Sequence, residues 1–428
     1  MPDIFTELNW RGLVNQCTDP ANLQSWLNEK PRTLYVGFDP TSDSMHVGNL
    51  VAVMLLRRFQ QAGHRPIALV GGATGMIGDP SGKSEERNLL SVDVLRNNVA
   101  CLEKQLRRFL DFDCGPNAAL LANNYDWMGR FGYIEFLRDI GKHFPVNVML
   151  AKDSVKARLE RIDSGLSYTE FSYMLLQAYD FVNLHDQYGC ELQAGGSDQW
   201  GNITAGIDLA RRMRGVQLQG ITCPLLTKAD GMKMGKTESG SLWLSAERTS
   251  PYAFYQYWFN TQDADVGKCL RYFTDLDQGQ IARLEQEHAA DPGKRAAQKQ
   301  LAADLTRLVH GEESLAAVLK ASEILFGAEI DKLSDRQLAE IFADVPSTEV
   351  SRAVLESEGI PLVDGLCAVG LAKSKGDARR AISEGGAYVN NRRAASLDAR
   401  LTPADLAGES IIVLRKGKKN YALLRCVG

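Results

Sequence analysis

One strand, one crossover helix and a second strand near the amino terminus set what this chain can fold into. Thr33-Leu34-Tyr35-Val36-Gly37-Phe38 reads as a buried strand that breaks at Asp39-Pro40 and re-enters a helix at His46, carrying the apolar run 51–56. Pro66-Ile67-Ala68-Leu69-Val70-Gly71-Gly72 is then almost continuously apolar, as a strand buried on both faces of a parallel sheet must be. Strand, helix from 46 to about 62, and strand make a right-handed βαβ unit, which predicts an α/β chain with a Rossmann-like parallel sheet. The strand-to-helix turn leaves backbone N–H groups free at a helix N-terminus, a place that attracts phosphate.

Residues 1–30 read as one or two amphipathic lead-in helices, with Trp10, Leu13, Val14, Leu23 and Leu27 turned toward the first strand. The loop after the second strand carries glycines at 71, 72, 75 and 78, which do not fit the dinucleotide fingerprint. A P-loop ending in Gly82-Lys83-Ser84 would need glycine at 77, where Ile77 stands. What remains is a glycine-rich loop at the carboxyl end of a strand, followed by the cations Lys83 and Arg87. Residues from about 88 to 165 turn helical and read as an insertion whose apolar surface suits a subunit contact.

The sheet is expected to resume with a second set of loops. Tyr173, Gln177 and Asp180 lie four and three apart, so a helix puts them on one face, among the apolar residues Met174, Leu175 and Leu176. Buried polar groups need partners, and a ligand can be one. Leu192 to Trp200 reads as a strand, a Gly195-Gly196 pair that lets a planar ligand approach, and a helix start capped by Ser197 or Asp198. Arg211 and Arg212 close that helix, and Gly231-Met232-Lys233-Met234-Gly235-Lys236-Thr237 forms a flexible cationic loop suited to a polyphosphate. Residues 270–325 read as helical throughout, 326–350 as a linker, and 351–428 as a small separate α+β module.

Charge narrows the partners. The 428 residues carry a formal net charge of −4, which excludes a generally basic nucleic-acid binder and confines any polynucleotide contact to local patches. Such a patch is the last module, with Lys373, Lys375, Arg379, Arg380, Arg392, Arg393, Lys416, Lys418 and Lys419. The eight cysteines include no Cys-x-x-Cys pair, so reduced thiols are expected and no protein-held metal is assigned. With no signal-peptide pattern and no run of about 20 apolar residues, a cytoplasmic protein without membrane or DNA partners is expected.

Two motifs gain meaning together. His46-Val47-Gly48-Asn49 is similar to the HIGH motif of class I aminoacyl-tRNA synthetases, and Lys233-Met234-Gly235-Lys236-Thr237 to their KMSKS loop. With Gly-Gly-Ser-Asp-Gln-Trp-Gly at 195–201, Thr-Glu-Phe-Ser-Tyr at 169–173 and an S4-like tail, the chain resembles the bacterial tyrosyl-tRNA synthetases over essentially its full length. The resemblance implies a Rossmann-like catalytic domain (1–228, insertion about 88–165 at a dimer interface), a lysine loop and helical domain (229–325), the linker, and an S4-like tRNA-binding domain (351–428).

It also implies a reaction and a site. Tyrosine and ATP, with Mg2+, give tyrosyl-adenylate, and the tyrosyl group passes to the 3′ end of tRNA(Tyr) in a homodimer. Thr41 and His46 would meet the γ-phosphate, and Lys83, Arg87, Lys233, Lys236 and Thr237 the pyrophosphate. Gly37, Asp39, Gly48, Asn49, Gly196 and Asp198 would face ATP, with Asp198 on the ribose. Asp79, Tyr173 and Gln177 would take the amino-acid ammonium, Gln199 the carboxyl end, and Tyr35 with Asp180 the phenol. Arg211, Arg212, Lys373, Lys375, Arg379, Lys418 and Lys419 would bind tRNA. Two positions depart from the family: Asn49 replaces a common second histidine, and Val36 a frequent cysteine. The alternatives are a tryptophanyl-tRNA synthetase-like enzyme, which would not need the Tyr35 and Asp180 pair, and a silent RNA-binding paralogue, which would lose the lysine loop.

Overall fold

The computed structural model describes residues 3–81, 90–152, 155–156, 159, 165–237, 240–325, 327–330, 333–342, 345–418 and 420–428. They form two compact units, Met1–Thr249 with Gln256–Val309, and Ser250–Tyr255 with His310–Gly428.

The first unit is built on a six-stranded sheet: β1 (Gln16–Cys17), β2 (Thr33–Phe38), β3 (Arg65–Val70), β4 (Leu120–Asn123), β5 (Cys190–Gly196) and β6 (Gln219–Cys223). Their spatial order is β1-β6-β5-β2-β3-β4. All neighbours run parallel except β1, which pairs antiparallel with β6 as an edge. The apolar runs at β2 and β3 are buried on both faces as expected, with Leu34, Ile67 and Ala68 fully enclosed. The chain moves from β2 to β3 and β4 on one side and places β5 and β6 on the other, so β2 and β5 flank the switch point where α/β sheets bind ligands.

Helices Ile4–Arg11 (α1) and Leu23–Glu29 (α2) lead in, with Leu13, Leu23 and Leu27 buried. Val47–Gln61 (α3) is the predicted crossover, and Thr74–Ile77 (α4) is one short turn in the glycine-rich loop. Val92–Leu106 (α5) leads into β4. Tyr168–Tyr188 (α6) begins at Ser167, whose hydroxyl accepts from Glu170 N–H, and stops at Gly189 with φ +63°. Trp200–Arg214 (α7) follows β5.

Several expectations change. The stretch 88–165 is not wholly an insertion: α5 and β4 form another crossover, and β4 joins the sheet through Ile67↔Leu120 to Val70↔Asn123. Residues 134–150 break into Tyr133–Asp139, a 3-10 turn Gly141–His143 and Val146–Leu150. Ser197 and Asp198 do not cap α7; they lie in a 3-10 turn, Ser197–Gln199, that precedes it. The stretch 270–325 is interrupted at 274–277, at 291–295 and at 311 between helices Asp263–Phe273, Gln278–Ala290, Ala296–His310 and Glu312–Leu325.

The middle helices do not stand as a 229–325 domain either. The Arg11 guanidinium, 2% exposed, donates to the carbonyls of Arg271, Thr274 and Leu276, and Arg58 donates to Thr274, which ties Asp263–Phe273 to the sheet unit. Residues from 310 onward belong instead to the second unit. Its sheet holds Ser347–Ser351 (β7), Ala387–Val389 (β8), Arg392–Arg393 (β9), Ile411–Lys416 (β10) and Asn420–Val427 (β11) in the order β9-β8-β10-β11-β7. Thus the end of the expected linker is an edge strand. Asn390 and Asn391 make a left-handed turn between β8 and β9, with φ +48° and +64°. Among the described residues no helix is long and apolar enough to cross a membrane, and all eight cysteines are free thiols.

Candidate active site

The carboxyl ends of β2 and β5 converge on a buried polar network. Tyr35 on β2 is 1% exposed, its ring edge-on to Phe181 at 5.3 Å, and its hydroxyl has no hydrogen-bond partner among the described residues. Asp180 on α6 is equally buried and accepts from Asn124 Nδ2 at 3.0 Å and Trp127 Nε1 at 2.8 Å. Burial lifts its carboxyl to about 7, against the pull of those two donors and with the Asp39 charge adding to the rise. Burial and the Asp180 charge push the Tyr35 phenol well above its ordinary value. An unsatisfied hydroxyl and a carboxylate with spare lone pairs are prepared for a ligand hydroxyl.

A second set leads away from Asp180. Asn124 Nδ2 also donates to Thr74 Oγ1 at 2.9 Å, Thr74 Oγ1 donates to Asp39 Oδ1 at 2.7 Å, and the Tyr173 hydroxyl donates to Asp39 Oδ2 at 2.9 Å. Gly71 leaves room for this crossing: a Cβ there would stand 2.1 Å from Asp39 Oδ1 and 2.3 Å from Thr74 Oγ1. Asp39, expected to face ATP, is therefore wired to the amino-acid residues through Tyr173. Beside it, Asp79 accepts from Gln199 Nε2 at 2.6 Å and from Ser81 N–H at 2.9 Å. Gln177 donates to Gln199 at 3.2 Å, and Asn202 donates to Gln177 at 2.9 Å. The six residues expected at the amino-acid end thus fall into a phenol pair, Tyr35 with Asp180, and a polar group of Asp79, Tyr173, Gln177 and Gln199.

The other face begins at α3. His46 precedes the helix, its backbone N–H donates to Asn49 Oδ1 at 3.0 Å, and its ring lies where a Cβ on Gly48 would come within 2.8 Å of Cε1. Thr41 and Gly37 are exposed at the strand end, and nothing lies within 4 Å of a Cβ built on Gly37. Gly196 ends β5; a Cβ there would be 2.6 Å from Asp198 Oδ1. Burial raises the Asp198 carboxyl, Asp79 adds to the rise, and Lys233 opposes it.

The lysine loop is tied to this face through its backbone. Met234 N–H donates to Leu226, Gly235 N–H to the Tyr257 hydroxyl at 2.8 Å, and Leu242 N–H to Gly235 at 2.8 Å. Val47 N–H, in the first turn of α3, donates to the Leu242 carbonyl at 3.0 Å. Lys233 and Lys236 are exposed. Lys83, Arg87, Lys419 and the Thr237 side chain lie outside the described residues.

Sequence reasoning did not single out Asn124, Trp127, Thr74 or Asn202. Their signal is weak but present: Asn124 stands one residue past a short apolar strand, and Thr74 sits within the glycine-rich loop.

The basic residues are dispersed. Arg211 and Arg212 both pair with Asp208, at 2.6 and 2.7 Å. In the second unit Lys373, Arg379 and Lys418 are exposed, while Lys375 pairs with Asp364 at 2.7 Å. Register adds one cation that charge counting passes over. Arg393, Tyr388, Arg415 and Tyr421 lie directly opposite one another across β9, β8, β10 and β11. The Arg415 guanidinium stacks 3.9 Å from the Tyr388 ring centre and 5.7 Å from that of Tyr421.

Residues 27–327 match the model of the class I tRNA synthetases (W and Y), and residues 337–424 that of the tyrosine–tRNA ligase SYY-like C-terminal domain. The tyrosine–tRNA ligase of Rhodopirellula baltica is 60% identical over 99% of this chain and 96% of its own length. That of Roseiflexus castenholzii is 54% identical over the whole of both chains. Among solved structures, the C-terminally truncated mitochondrial tyrosyl-tRNA synthetase of Aspergillus nidulans superposes with a TM-score of 0.68 at 32% identity, covering 76% of this chain and 95% of its own. On matches that run from residue 27 to residue 424 and on relatives alike over their full length, the chain belongs to the tyrosine–tRNA ligase family of class I tRNA synthetases.

Proposed function

We propose that the cleft at the ends of β2 and β5 is where tyrosine is activated with ATP and then passed to the 3′ end of tRNA(Tyr). The orphaned Tyr35 hydroxyl beside the buried Asp180 carboxyl is the observation that carries the tyrosine assignment. Phenylalanine would leave the Tyr35 hydroxyl desolvated without a partner and give the Asp180 carboxyl no donor beyond Asn124 and Trp127; tyrosyl-tRNA synthetases are themselves the standard illustration of this effect. Tryptophan has no hydroxyl for the pair, and the relatives are tyrosine ligases, so neither alternative reading is favoured.

In the first step a tyrosine carboxylate oxygen attacks the α-phosphorus, the bond to the bridging oxygen breaks, and pyrophosphate leaves. In the second, a terminal ribose hydroxyl of tRNA attacks the acyl carbon and AMP leaves. Neither step needs a protein nucleophile, so the residues act by holding reactants in line and by meeting charge as it builds. Asp79, Tyr173 and Gln177 hold the ammonium, and Gln199 the carboxyl end. Gly37, Gly48, Asn49, Gly196 and Asp198 line the nucleoside side. Thr41, His46, Lys83, Arg87, Lys233, Lys236 and Thr237 take the phosphates that leave. Mg2+ would arrive on the ATP phosphates and neutralise part of their charge; no group of three or more His, Cys, Asp or Glu among the described residues offers it a cage.

Arg211, Arg212, Lys373, Lys375, Arg379, Lys418 and Lys419 are assigned to the tRNA backbone, and the work to the cytoplasm. A second copy of the chain is assigned to the apolar surface of Tyr133, Ile134, Val146 and Tyr168, which are 64%, 73%, 59% and 62% exposed.

ATP–pyrophosphate exchange measured separately with tyrosine, phenylalanine and tryptophan tests the reading. Only tyrosine should support exchange, and Tyr35→Phe or Asp180→Asn should lower the ratio of kcat/KM for tyrosine over phenylalanine. An unchanged ratio in both variants sinks the assignment of that pair.

A further inference from the structure

The network between Asp180 and Tyr173 has a direction, and its direction can be read. Ala73 N–H, which can only donate, lies 2.7 Å from Asn124 Oδ1, so the amide is held with Nδ2 on its other side. The two Nδ2 hydrogens then go to Asp180 Oδ2 and Thr74 Oγ1. Having accepted there, Thr74 has one proton to give, and it points to Asp39 Oδ1. An ionised Asp39 can only accept, so the Tyr173 proton is committed to Asp39 Oδ2. The Tyr173 oxygen is left with lone pairs toward the cleft, where an ammonium group needs an acceptor.

We propose that Thr74 is a positioning residue of the amino-acid site: its hydroxyl joins the phenol end at Asp180 to the ammonium end at Tyr173 and, through Asp39, fixes the Tyr173 oxygen as an acceptor. The inference rests on the tyrosine reading above and assigns Thr74 no contact with substrate. Thr74 is 3% exposed, so water does not replace its hydroxyl when it is lost. Without it, Asn124 Nδ2 and Asp39 Oδ1 each lose this hydrogen bond, and with it goes one of the contacts that orient the Asp39 carboxylate toward Tyr173.

Thr74→Val keeps the shape and removes the hydroxyl. The KM for tyrosine should rise roughly tenfold, the scale of one hydrogen bond to a charged group, while the KM for ATP changes less than about twofold. Thr74→Ser should restore the parent value. Two inhibitors separate the ends of the site. Tyramine keeps the ammonium and phenol, and 3-(4-hydroxyphenyl)propionate lacks the ammonium. Thr74→Val should weaken tyramine by about the same factor as tyrosine and leave the propionate close to its parent value. Asp39→Asn should show the same selectivity and add little to Thr74→Val, because both break one chain. It carries the test if the valine variant does not fold. Equal loss for both inhibitors, or full additivity, overturns the proposal. Exchange that does not depend on tyrosine in the parent enzyme overturns the underlying reading instead.

Discussion

Asp180 shows how a residue assigned to recognition costs the fold stability as pH rises. Its carboxyl lies at about 7 in the folded chain against an ordinary 3.8, because burial costs more than the Asn124 and Trp127 donors return. The native state therefore holds a proton that the unfolded chain releases. A group raised in this way leaves stability intact below the unfolded value and erodes it as pH climbs through the folded one. Asp180→Asn removes the titration. Comparison of the two proteins cancels the groups that do not interact with Asp180, so their Tm difference should move in the variant's favour between pH 5 and pH 8. On the proposed assignment the hydroxyl of bound tyrosine gives the carboxylate a donor, so saturating tyrosine should close part of that gap in the parent. Thermal melts at the two pH values decide the matter: a Tm difference independent of pH contradicts a carboxyl that ionises near neutrality.

At the scale of elements, the joint between β2 and α3 was open to reading, since an apolar strand, a break at Asp39-Pro40 and a helical apolar run are local features. The face shared by Tyr173, Gln177 and Asp180 was legible for the same reason, and α6 carries all three. Asn124 and Thr74 were not, because their roles come from hydrogen bonds between residues 50 and 56 positions apart, which no local pattern encodes. Gly48 tests how far the joint serves function rather than folding. Alanine is the better helix former by about 1 kcal/mol, but its Cβ would press on the His46 ring at 2.8 Å. A ring at the end of a side chain can swing aside at small cost to the fold. Gly48→Ala should accordingly keep or slightly raise Tm while kcat for tyrosine-dependent exchange drops about tenfold or more, the cost of losing one well-placed contact to developing charge. A variant with full kcat would remove His46 from the phosphate site, and one with a large fall in Tm would make the glycine a packing requirement.

For the whole molecule, the boundary before the basic tail lies upstream of the residue 351 that composition suggests. Ile324, Ile330, Leu333, Leu338 and Phe342 cover Ile411, Val413, Tyr421 and Leu423 of the tail's sheet in one buried cluster. Asn391 Nδ2 donates to the carbonyls of Ile324 and Ala328, and the Tyr421 hydroxyl to that of Ile324. Sequence pattern misses this because the covering pieces are short. Asp335–Ile341 has seven residues, and β7 is Ser-Thr-Glu-Val-Ser, a strand by its backbone pairing with β11 rather than by its side chains. Cutting at 351 would expose four side chains whose burial is worth about 1.5–3 kcal/mol each, a sum comparable with the roughly 5–15 kcal/mol that holds a domain together. A fragment of residues 310–428 should therefore melt cooperatively by circular dichroism. One of residues 351–428 should show no cooperative transition, or a Tm lower by tens of degrees. The longer fragment should also bind tRNA with a salt dependence whose slope falls by about one when Lys418 is replaced by alanine. Equal melting of the two fragments would return the boundary to residue 351, and an unchanged slope would take Lys418 off the backbone contact.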